Sequence, residues 1–167
     1  SSFGKVFLPS YDFSKAKVIV SVGADFLSGW LNSNAYSNQY TSRKNPDGEW
    51  MSRHYQFEAN LSLTGSNAEV RAAVKPSEYG KVLANIHNII AKKLGVSGGK
   101  SYELDNDNGA MEKAQAAANE LMAAKGASLV VCGSNNSDHQ ILANAINHML
   151  GNYGNTIDLD KTYNLSQ

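Results

Sequence analysis

The chain has little of several features that would assign it to a functional class at once. It contains one cysteine, Cys132, and three prolines among 167 residues. A single thiol excludes an internal disulfide and a cysteine-ligated cluster within the chain. Fifteen basic and fifteen acidic residues cancel, so the charge balance does not indicate nucleic acid as a partner. No apolar run is long enough for a transmembrane helix, so we expect membrane association only through partner subunits.

Motifs for catalysis or metal binding are also missing. The sequence has no HExxH, no P-loop and no GxGxxG, and its helical histidines lack a second ligand one turn away. His54 stands apart because it lies among aromatic residues beside a predicted strand. Cys132 lies inside an apolar strand, where a small buried hydrophobe is expected. We therefore predict no catalytic residue and no metal site.

Short apolar segments that end at glycine alternate with amphipathic segments. Residues 17–22 and 127–132 are typical of buried parallel strands and end at Gly23 and Gly133. The alternation from Tyr55 to Leu63 predicts a further strand, and VRAAVK predicts another. Strands separated by helices predict an α/β fold with mostly parallel strands and flanking helices, in lobes that resemble nucleotide-binding folds.

Three helices are predicted after Pro76. The first begins near Ser77 and Glu78, after Pro76, and buries a stripe that contains Val82, Leu83, Ile86, Ile90 and Leu94. An alanine-rich helix ends at Gly126. A last helix is predicted to be capped by Ser137 or Asp138, with a core face that consists of Ile141, Leu142, Ala145, Ile146 and Met149.

A glycine- and asparagine-rich stretch divides these elements. We predict a first α/β lobe at 1–95 with an aromatic, asparagine-rich insertion, a joint or disordered loop at 96–109, and a second α/β lobe at 110–167. The joint contains alternating carboxylates at Glu103, Asp105 and Asp107. They lack the closing glutamate and central glycine of a calcium loop, so a solvated loop is expected.

Glycine and polar residues follow two of the predicted strands, in VGAD (22–25) and VCGSNN (131–136). In open α/β sheets, ligands bind outside the carboxyl ends of the strands. A simple sharp turn also explains each segment, because neither is an intact phosphate-binding fingerprint.

The run MSRHYQFEANLSLTGSNAEVRAAVKPSEYGKVLANIHNII (51–90), with VIVSVGADFLSGW before it and SLVVCGSNN and ANAINHMLGNYGNTID after it, resembles a known family. It is similar to the molybdopterin-oxidoreductase-like region of the iron–sulfur B subunit of bacterial alternative complex III. That complex is a membrane-bound, quinol-oxidising respiratory assembly. The resemblance implies that the chain is part of a longer subunit.

The resemblance also suggests which residues to compare with a cofactor site. Molybdopterin enzymes commonly have Gly-x-Asn-Pro in the first loop, whereas this chain has Gly23, Ala24, Asp25 and Phe26. A second loop commonly reads Pro-Gly-Thr-Asp-Gly, and its aspartate receives the guanine edge. Here Tyr79 takes the place of that aspartate. The departures predict a vestigial site made up of Gly23, Asp25, Pro76, Tyr79, Gly133 and Asn135.

The function implied by the resemblance is that of a non-catalytic scaffold within a respiratory electron-transfer subunit. No cofactor is expected in this stretch, while iron–sulfur clusters are expected elsewhere in the parent subunit and heme in partner subunits. The expected partners are a multiheme cytochrome and integral membrane quinol-binding subunits, at the periplasmic face of the bacterial inner membrane. Aromatic residues of the asparagine-rich segment are interface candidates: Trp30, Tyr36, Tyr40, Trp50 and Tyr55. The same aromatics could instead form a second core.

Two other functions remain open from the sequence. The chain could belong to an active molybdopterin-dependent oxidoreductase whose catalytic residues lie outside it. It could also be a free-standing nucleotide- or sugar-binding α/β module. The two altered loops argue against the first alternative, and the lack of an intact glycine-rich fingerprint argues against the second.

Overall fold

The computed structural model describes residues 7–29, 33–105 and 107–164, with side chains described for 10–29, 33–105 and 107–158. Its strands are β1 (Phe7–Tyr11), β2 (Val18–Val22), β3 (Arg53–Glu58), β4 (Val70–Ala73), β5 (Ser128–Cys132) and β6 (Ile157–Asn164). Strands β2 to β5 form a parallel sheet in the order β4–β3–β2–β5, and β1 pairs with β6 in an antiparallel ribbon. The predicted α/β fold with parallel strands is confirmed.

The helices of the described residues are α1 (Ser33–Ser42), α2 (Leu63–Ser66), α3 (Tyr79–Lys93), α4 (Ala110–Ala123) and α5 (Ser137–Met149). Short 3-10 turns precede β2 and α3, at Phe13–Lys15 and Pro76–Glu78. The last three helices pack against one face of the sheet, and α1 lies on the other. The fold therefore has three layers.

The larger core lies between the sheet and helices α3, α4 and α5. Side chains alternate across a strand, so Val18, Val20 and Val22 of β2 all point to this face. Helix α3 meets them with Val82, Leu83, Ile86 and Ile90, all fully buried as its sequence period predicts. Burying each such side chain contributes roughly 1.5–3 kcal/mol, so this stripe fixes the position of α3 on the sheet.

The second core lies on the opposite face and is largely aromatic. Phe13 stacks on Phe26 with ring centroids 4.4 Å apart, and Tyr36 of α1 meets Phe13 edge to face at 5.0 Å. Ile19 of β2 and Leu129 of β5 form its floor. The aromatic segment that precedes β3 thus supplies much of this layer.

One sheet contains strands from both predicted lobes. Strand β5, from the segment 110–167, pairs along its whole length with β2, from the segment 1–95, with Val18 opposite Ser128 and Val22 opposite Cys132. The larger core likewise combines residues of both segments. The described residues of the two segments therefore share one sheet, and the apolar residues of β2 and β5 are buried in the same cores.

The outer edge of β5 is closed by side chains. Asn147 of α5 accepts a hydrogen bond from the N–H of Val130 at 3.0 Å and donates one to the C=O of Val130 at 2.8 Å. In this way the amide of Asn147 takes the place of a neighbouring strand. Three other outward groups of β5 are paired similarly: Asn152 and Thr156 bind the N–H and C=O of Ser128, and Gln140 binds the C=O of Cys132.

Local structure departs from the sequence-based expectation at two elements. Strand β3 ends at Glu58, and residues 63–66 form helix α2, whose N-cap Ser62 accepts a hydrogen bond from the N–H of Gly65. The period-two pattern that runs on to Leu63 is therefore misleading, since Leu61 and Leu63 are exposed. Side-chain capping by Ser62 favours the turn over a longer strand.

Helix α5 also differs from its prediction. Asn136, rather than Ser137 or Asp138, is the N-cap, because its side chain accepts from the N–H of Asp138. The buried residues are Ala143, Ile146 and Asn147, whereas Ile141 is 63% exposed. Ile146, Leu142 and Met149 of the predicted face do pack on the larger core, so the face differs from the prediction mainly at Ile141 and at the buried Asn147.

Candidate functional site

The carboxyl ends of β2 and β5 flank the point where the strand order changes direction. From β2 the chain adds β3 and β4 on one side, and β5 then returns to the other side of β2. This is the position at which open α/β sheets bind ligands. Here the turns after the two strands touch, since a Cβ atom on Gly133 would lie 2.2 Å from the carbonyl oxygen of Gly23. Backbone contact therefore closes the crevice.

The ring of Tyr79 lies against the turn after β2, at the same crevice. A Cβ atom on Gly23 would lie 2.5 Å from Cε2 of Tyr79, and Gly23 has a φ of +66°, a value that favours glycine. The Tyr79 hydroxyl accepts a hydrogen bond from the N–H of Ala59 at 3.1 Å. Pro76 begins the 3-10 turn that leads into α3 and so places Tyr79 there. Burial raises the pKa of Tyr79, which keeps its hydroxyl neutral.

Asp25 turns away from the crevice towards α2. Its carboxylate accepts hydrogen bonds from the hydroxyls of Thr64 at 2.5 Å and Ser28 at 2.6 Å. Burial raises the pKa of Asp25, but these hydrogen bonds outweigh that effect and hold the pKa below its usual value. Asp25 is therefore a charged residue that connects the β2 turn to α2.

The two residues of the predicted site that follow β5 lie in different surroundings. Gly133 lies in the closed crevice, whereas Asn135 is exposed in the turn before α5. Between them, the Ser134 hydroxyl lies 2.7 Å from Nδ1 of His139 and accepts from the N–H of Asn136 at 3.1 Å. The structure thus brings together Gly23, Tyr79 and Gly133, with Pro76 as support, and leaves Asp25 and Asn135 to local turns.

A buried carboxylate that the sequence analysis did not identify lies beside this site. Glu58, at the end of β3, accepts from the side chains of Ser62 at 2.6 Å, Arg71 at 2.8 Å and Gln56 at 3.1 Å. Its side chain is only 6% exposed. Burial raises the pKa of Glu58, but the donors together lower it below the usual value, so the group is ionised and fully paired.

Glu58 is the last member of a polar row on one face of β3. The row also contains Gln56, whose Nε2 donates to Glu58 and to the carbonyl of Ala24, so that its Oε1 faces Nε2 of His54 at 2.9 Å. The His54 Nε2 therefore carries a proton, and Nδ1 lies 3.1 Å from the Tyr40 hydroxyl. Burial lowers the pKa of His54 to about 4, so the ring is neutral near neutral pH.

The alternation of this row was available in the sequence. His54, Gln56 and Glu58 are spaced by two, which is the period of one strand face. The same alternation predicts a strand from its apolar residues, which lie on the opposite face. The polar residues of the pattern carry no further prediction, because polar residues that alternate with apolar ones are usually exposed. Only the tertiary structure shows that this face is also buried, against α1 and α2.

The interface candidates are largely internal. Tyr36 and Tyr40 are buried in the aromatic core and Tyr55 in the larger core, with exposures of 0%, 3% and 2%. These three side chains are therefore core residues, as the alternative interpretation had it. Trp50 is half-buried and stacks on the Arg43 guanidinium, 4.0 Å from its ring centroid. Trp30 lies outside the described residues.

The site does not fit a pterin guanine dinucleotide of the kind that molybdopterin enzymes hold. The ring of Tyr79 occupies the space over Gly23, and the backbone contact at Gly133 closes the crevice beside it. Asp25 follows β2 and Glu58 ends β3, and both side chains carry negative charge and already have hydrogen-bond partners. A pyrophosphate would face unfavourable charge at this position.

Comparisons with known proteins leave the family open: no protein-family model matches the chain, and no curated protein is similar to it. Within the described residues, no three His, Cys, Asp or Glu side chains are grouped so that they could hold a metal ion. No described helix combines the length and the apolar character needed to cross a membrane.

Proposed function

We propose that this chain is a non-catalytic structural domain of the iron–sulfur subunit of a quinol-oxidising respiratory complex of the alternative complex III type. The observation that carries the proposal is the filled crevice at the strand ends. Tyr79 and the contact between Gly23 and Gly133 take up the ligand position of the fold. The resemblance in residues 51–90 supplies the identity of the assembly.

The polar groups around the crevice support a structural role. A binding site keeps donors and acceptors that are free to meet a ligand. Here the carboxylates of Glu58 and Asp25 already accept hydrogen bonds from Ser62, Arg71 and Thr64, and these bonds hold the strand ends together. In the proposed assembly the domain would sit at the periplasmic face of the inner membrane and contact cytochrome and membrane subunits, with clusters and heme held elsewhere.

Elemental and cofactor analysis of the native assembly that contains this chain tests the proposal. Molybdenum, tungsten, extractable pterin, iron and heme would be quantified in one preparation. We expect iron and heme without molybdenum, tungsten or pterin. Stoichiometric molybdenum or tungsten with pterin would contradict the proposal and favour an active molybdopterin oxidoreductase.

A second measurement addresses binding by the chain itself. A nucleotide that binds only the folded state raises the thermal midpoint by mass action. We expect no shift with millimolar GMP, GDP or GTP, either for the chain or for Tyr79→Phe, which keeps the ring in place. A concentration-dependent rise with any of these nucleotides in the chain would favour a nucleotide-binding module.

A further inference from the structure

The segment between α3 and α4 contains the single Asn-Gly pair of the sequence, Asn108 and Gly109. Asn108 is exposed, and its side chain forms no hydrogen bond with the described residues. The C=O of Gly109 accepts a hydrogen bond from the N–H of Lys113 at 3.1 Å, but the N–H of Gly109 has no acceptor among the described atoms. The carboxamide of Asn108 and the backbone nitrogen that follows it are therefore both unengaged.

These two groups can react with each other. The nitrogen of the residue after an asparagine can close a five-membered ring on the side-chain carbon Cγ. A Cβ atom on that residue would crowd the nitrogen, and glycine has none. No atom lies within 4 Å of the position that a Cβ on Gly109 would take. Neither a side chain nor a packed neighbour therefore crowds Gly109 on this side.

Another exposed asparagine before a small residue, Asn136, is held in place. Its Oδ1 accepts a hydrogen bond from the N–H of Asp138 at 2.8 Å, because Asn136 is the N-cap of α5. Its C=O accepts from the N–H of His139 at 3.1 Å. Both the side chain and the backbone of Asn136 are thus engaged, whereas the side chain of Asn108 is not. The two residues form a matched pair within one chain.

We propose that Asn108 is a site of intramolecular deamidation. The nitrogen of Gly109 loses its proton to hydroxide and bonds to Cγ of Asn108, and the bond from Cγ to the side-chain nitrogen breaks, so that ammonia leaves. Water then opens the resulting succinimide at one of its two carbonyl carbons. The product is aspartate or isoaspartate at position 108. The reaction consumes water and releases ammonia, and it does not depend on the assembly proposed above.

The aspartate product adds a charge and keeps the length of the backbone. Position 108 lies just before Gly109, the N-cap of α4. A negative charge is favourable near the N-terminus of a helix, and the carboxylate of Asp107 already accepts from the N–H of Met111 there, at 3.1 Å. We therefore expect α4 to stay folded in this product.

The isoaspartate product instead inserts one backbone carbon before α4. Ala110 is 2% exposed in the larger core, which fixes the first residue of the helix. The added length must then be taken up on the other side, towards Asp107 and Asp105. The bond from Met111 to Asp107 spans the inserted atom, and the N–H of Asp105 binds the buried Glu78 at 3.2 Å. Isoaspartate should therefore weaken the contacts that hold this segment to the fold.

Incubation of the folded chain at mildly alkaline pH tests the proposal. Samples taken over several days would be digested at acidic pH, which suppresses further deamidation. Mass spectrometry with electron-based fragmentation then distinguishes aspartate from isoaspartate. We expect both products at Asn108, at a rate that rises with pH because hydroxide removes the proton of Gly109. Asn136 should stay unmodified over the same period. An unchanged Asn108, or equal conversion of Asn108 and Asn136, would overturn the proposal.

A variant at each asparagine locates the reaction. Asn108→Gln keeps the carboxamide and the backbone but lengthens the side chain by one methylene, which disfavours ring closure. We expect it to release no ammonia from this segment. Asn136→Gln is the matched control and should leave the conversion of Asn108 unchanged. Undiminished release of ammonia by Asn108→Gln would place the reactive amide elsewhere and contradict the proposal.

The thermal midpoint reports the effect on the fold. Ion-exchange chromatography separates the deamidated chain, and Asn108→Asp supplies the aspartate form without isoaspartate. Loss of one capping contact should lower the midpoint of the isoaspartate form by roughly 2–4 °C relative to Asn108→Asp. Equal midpoints of the two forms would contradict the expected loss of contacts before α4.

Discussion

The two edges of the sheet are stabilised by different chemistry. At β5, neutral side chains such as Asn147 and Asn152 satisfy the outward backbone groups and leave little for another strand to pair with. At the β4 side, the contacts involve charged groups: Glu58 with Arg71, Glu69 with Lys44, and Lys113 with a carbonyl. The edge of β5 is therefore closed by groups that do not titrate, whereas the edge of β4 is open and the contacts beside it depend on ionised side chains.

This difference is consistent with the positions of the two strands in the fold. Helix α5 follows β5 directly and packs along it, so its buried polar residues can reach the edge. Strand β4 is followed by a 3-10 turn and α3, which crosses to the larger core. Closing an edge with side chains requires an element that runs alongside it. Among the described residues, Lys113 of α4 is the one side chain that bonds to an outward backbone group of β4.

The largest effect is expected from opening the β5 edge. Asn147→Leu keeps the side-chain volume but leaves the N–H and C=O of Val130 and the amide of Asn152 without their partner. Since each unsatisfied buried group costs about 1–3 kcal/mol, we expect the free energy of unfolding to fall by about 4 kcal/mol in urea denaturation. Asn144→Leu, at an exposed position of the same helix, is the control and should change it by less than about 0.5 kcal/mol.

Equal stability of Asn147→Leu and the unaltered chain would show that the edge of β5 does not need its amide. The distinction between a closed and an open edge would then be lost. A selective loss in Asn147→Leu would establish it.

The second effect concerns acidification of the β3–β4 side. Burial lowers the pKa of His54 to about 4, against about 6.5 for an exposed imidazole. Between these values the unfolded chain binds a proton that the folded chain excludes, so stability is fully present above pH 6.5 and falls as the pH falls towards 4. At 1.36 kcal/mol per pH unit, the loss is about 3 kcal/mol at most.

Urea denaturation between pH 7 and pH 4.5 measures this dependence. His54→Gln should flatten it over most of this range, since position 54 then has no titrating group, whatever the stability of the variant at neutral pH. His148→Gln alters an exposed histidine and should keep the slope of the unaltered chain. Parallel slopes for all three chains would show that His54 is not the group that links stability to pH.

The smallest effect is expected at the β4 edge itself. Proline at position 73 removes an N–H that points outward and makes no bond to β3. Proline is tolerated at such positions of edge strands, so Ala73→Pro should change the free energy of unfolding by about 0.5 kcal/mol or less. Thermal or urea denaturation measures this directly. A loss of several kcal/mol would mean that the outer edge of β4 is already in use within the fold.

The strands of the parallel sheet and its three long helices were largely predictable, because each of them carries a local signal. The period of Val82, Leu83, Ile86 and Ile90 predicted both α3 and its buried face, and the apolar runs before Gly23 and Gly133 predicted β2 and β5. The predictions failed where a local pattern competes with a tertiary contact. Leu61 and Leu63 continue the strand pattern of β3, yet Ser62 caps a helix there.

Part of the candidate site was predictable in the same way. Gly23, Tyr79 and Gly133 were identified by their positions after strands and in the second loop, and the structure brings them together. Glu58 and the polar face of β3 were missed, because a polar residue in an alternating pattern is expected on the surface. Its burial depends on α1 and α2, which flank β3 in the sequence but whose packing on this face of the sheet no local pattern shows.

The sequence by itself determined the strands of the parallel sheet, the principal helices and the absence of intact motifs for phosphate or metal binding, since these depend on neighbours within a few residues. The tertiary structure alone decided that β2 and β5 lie side by side, that Tyr79 fills the crevice between their turns, and that one edge of the sheet is closed and the other open. Each of these depends on contacts between residues far apart in the chain, whose pairing no local pattern encodes.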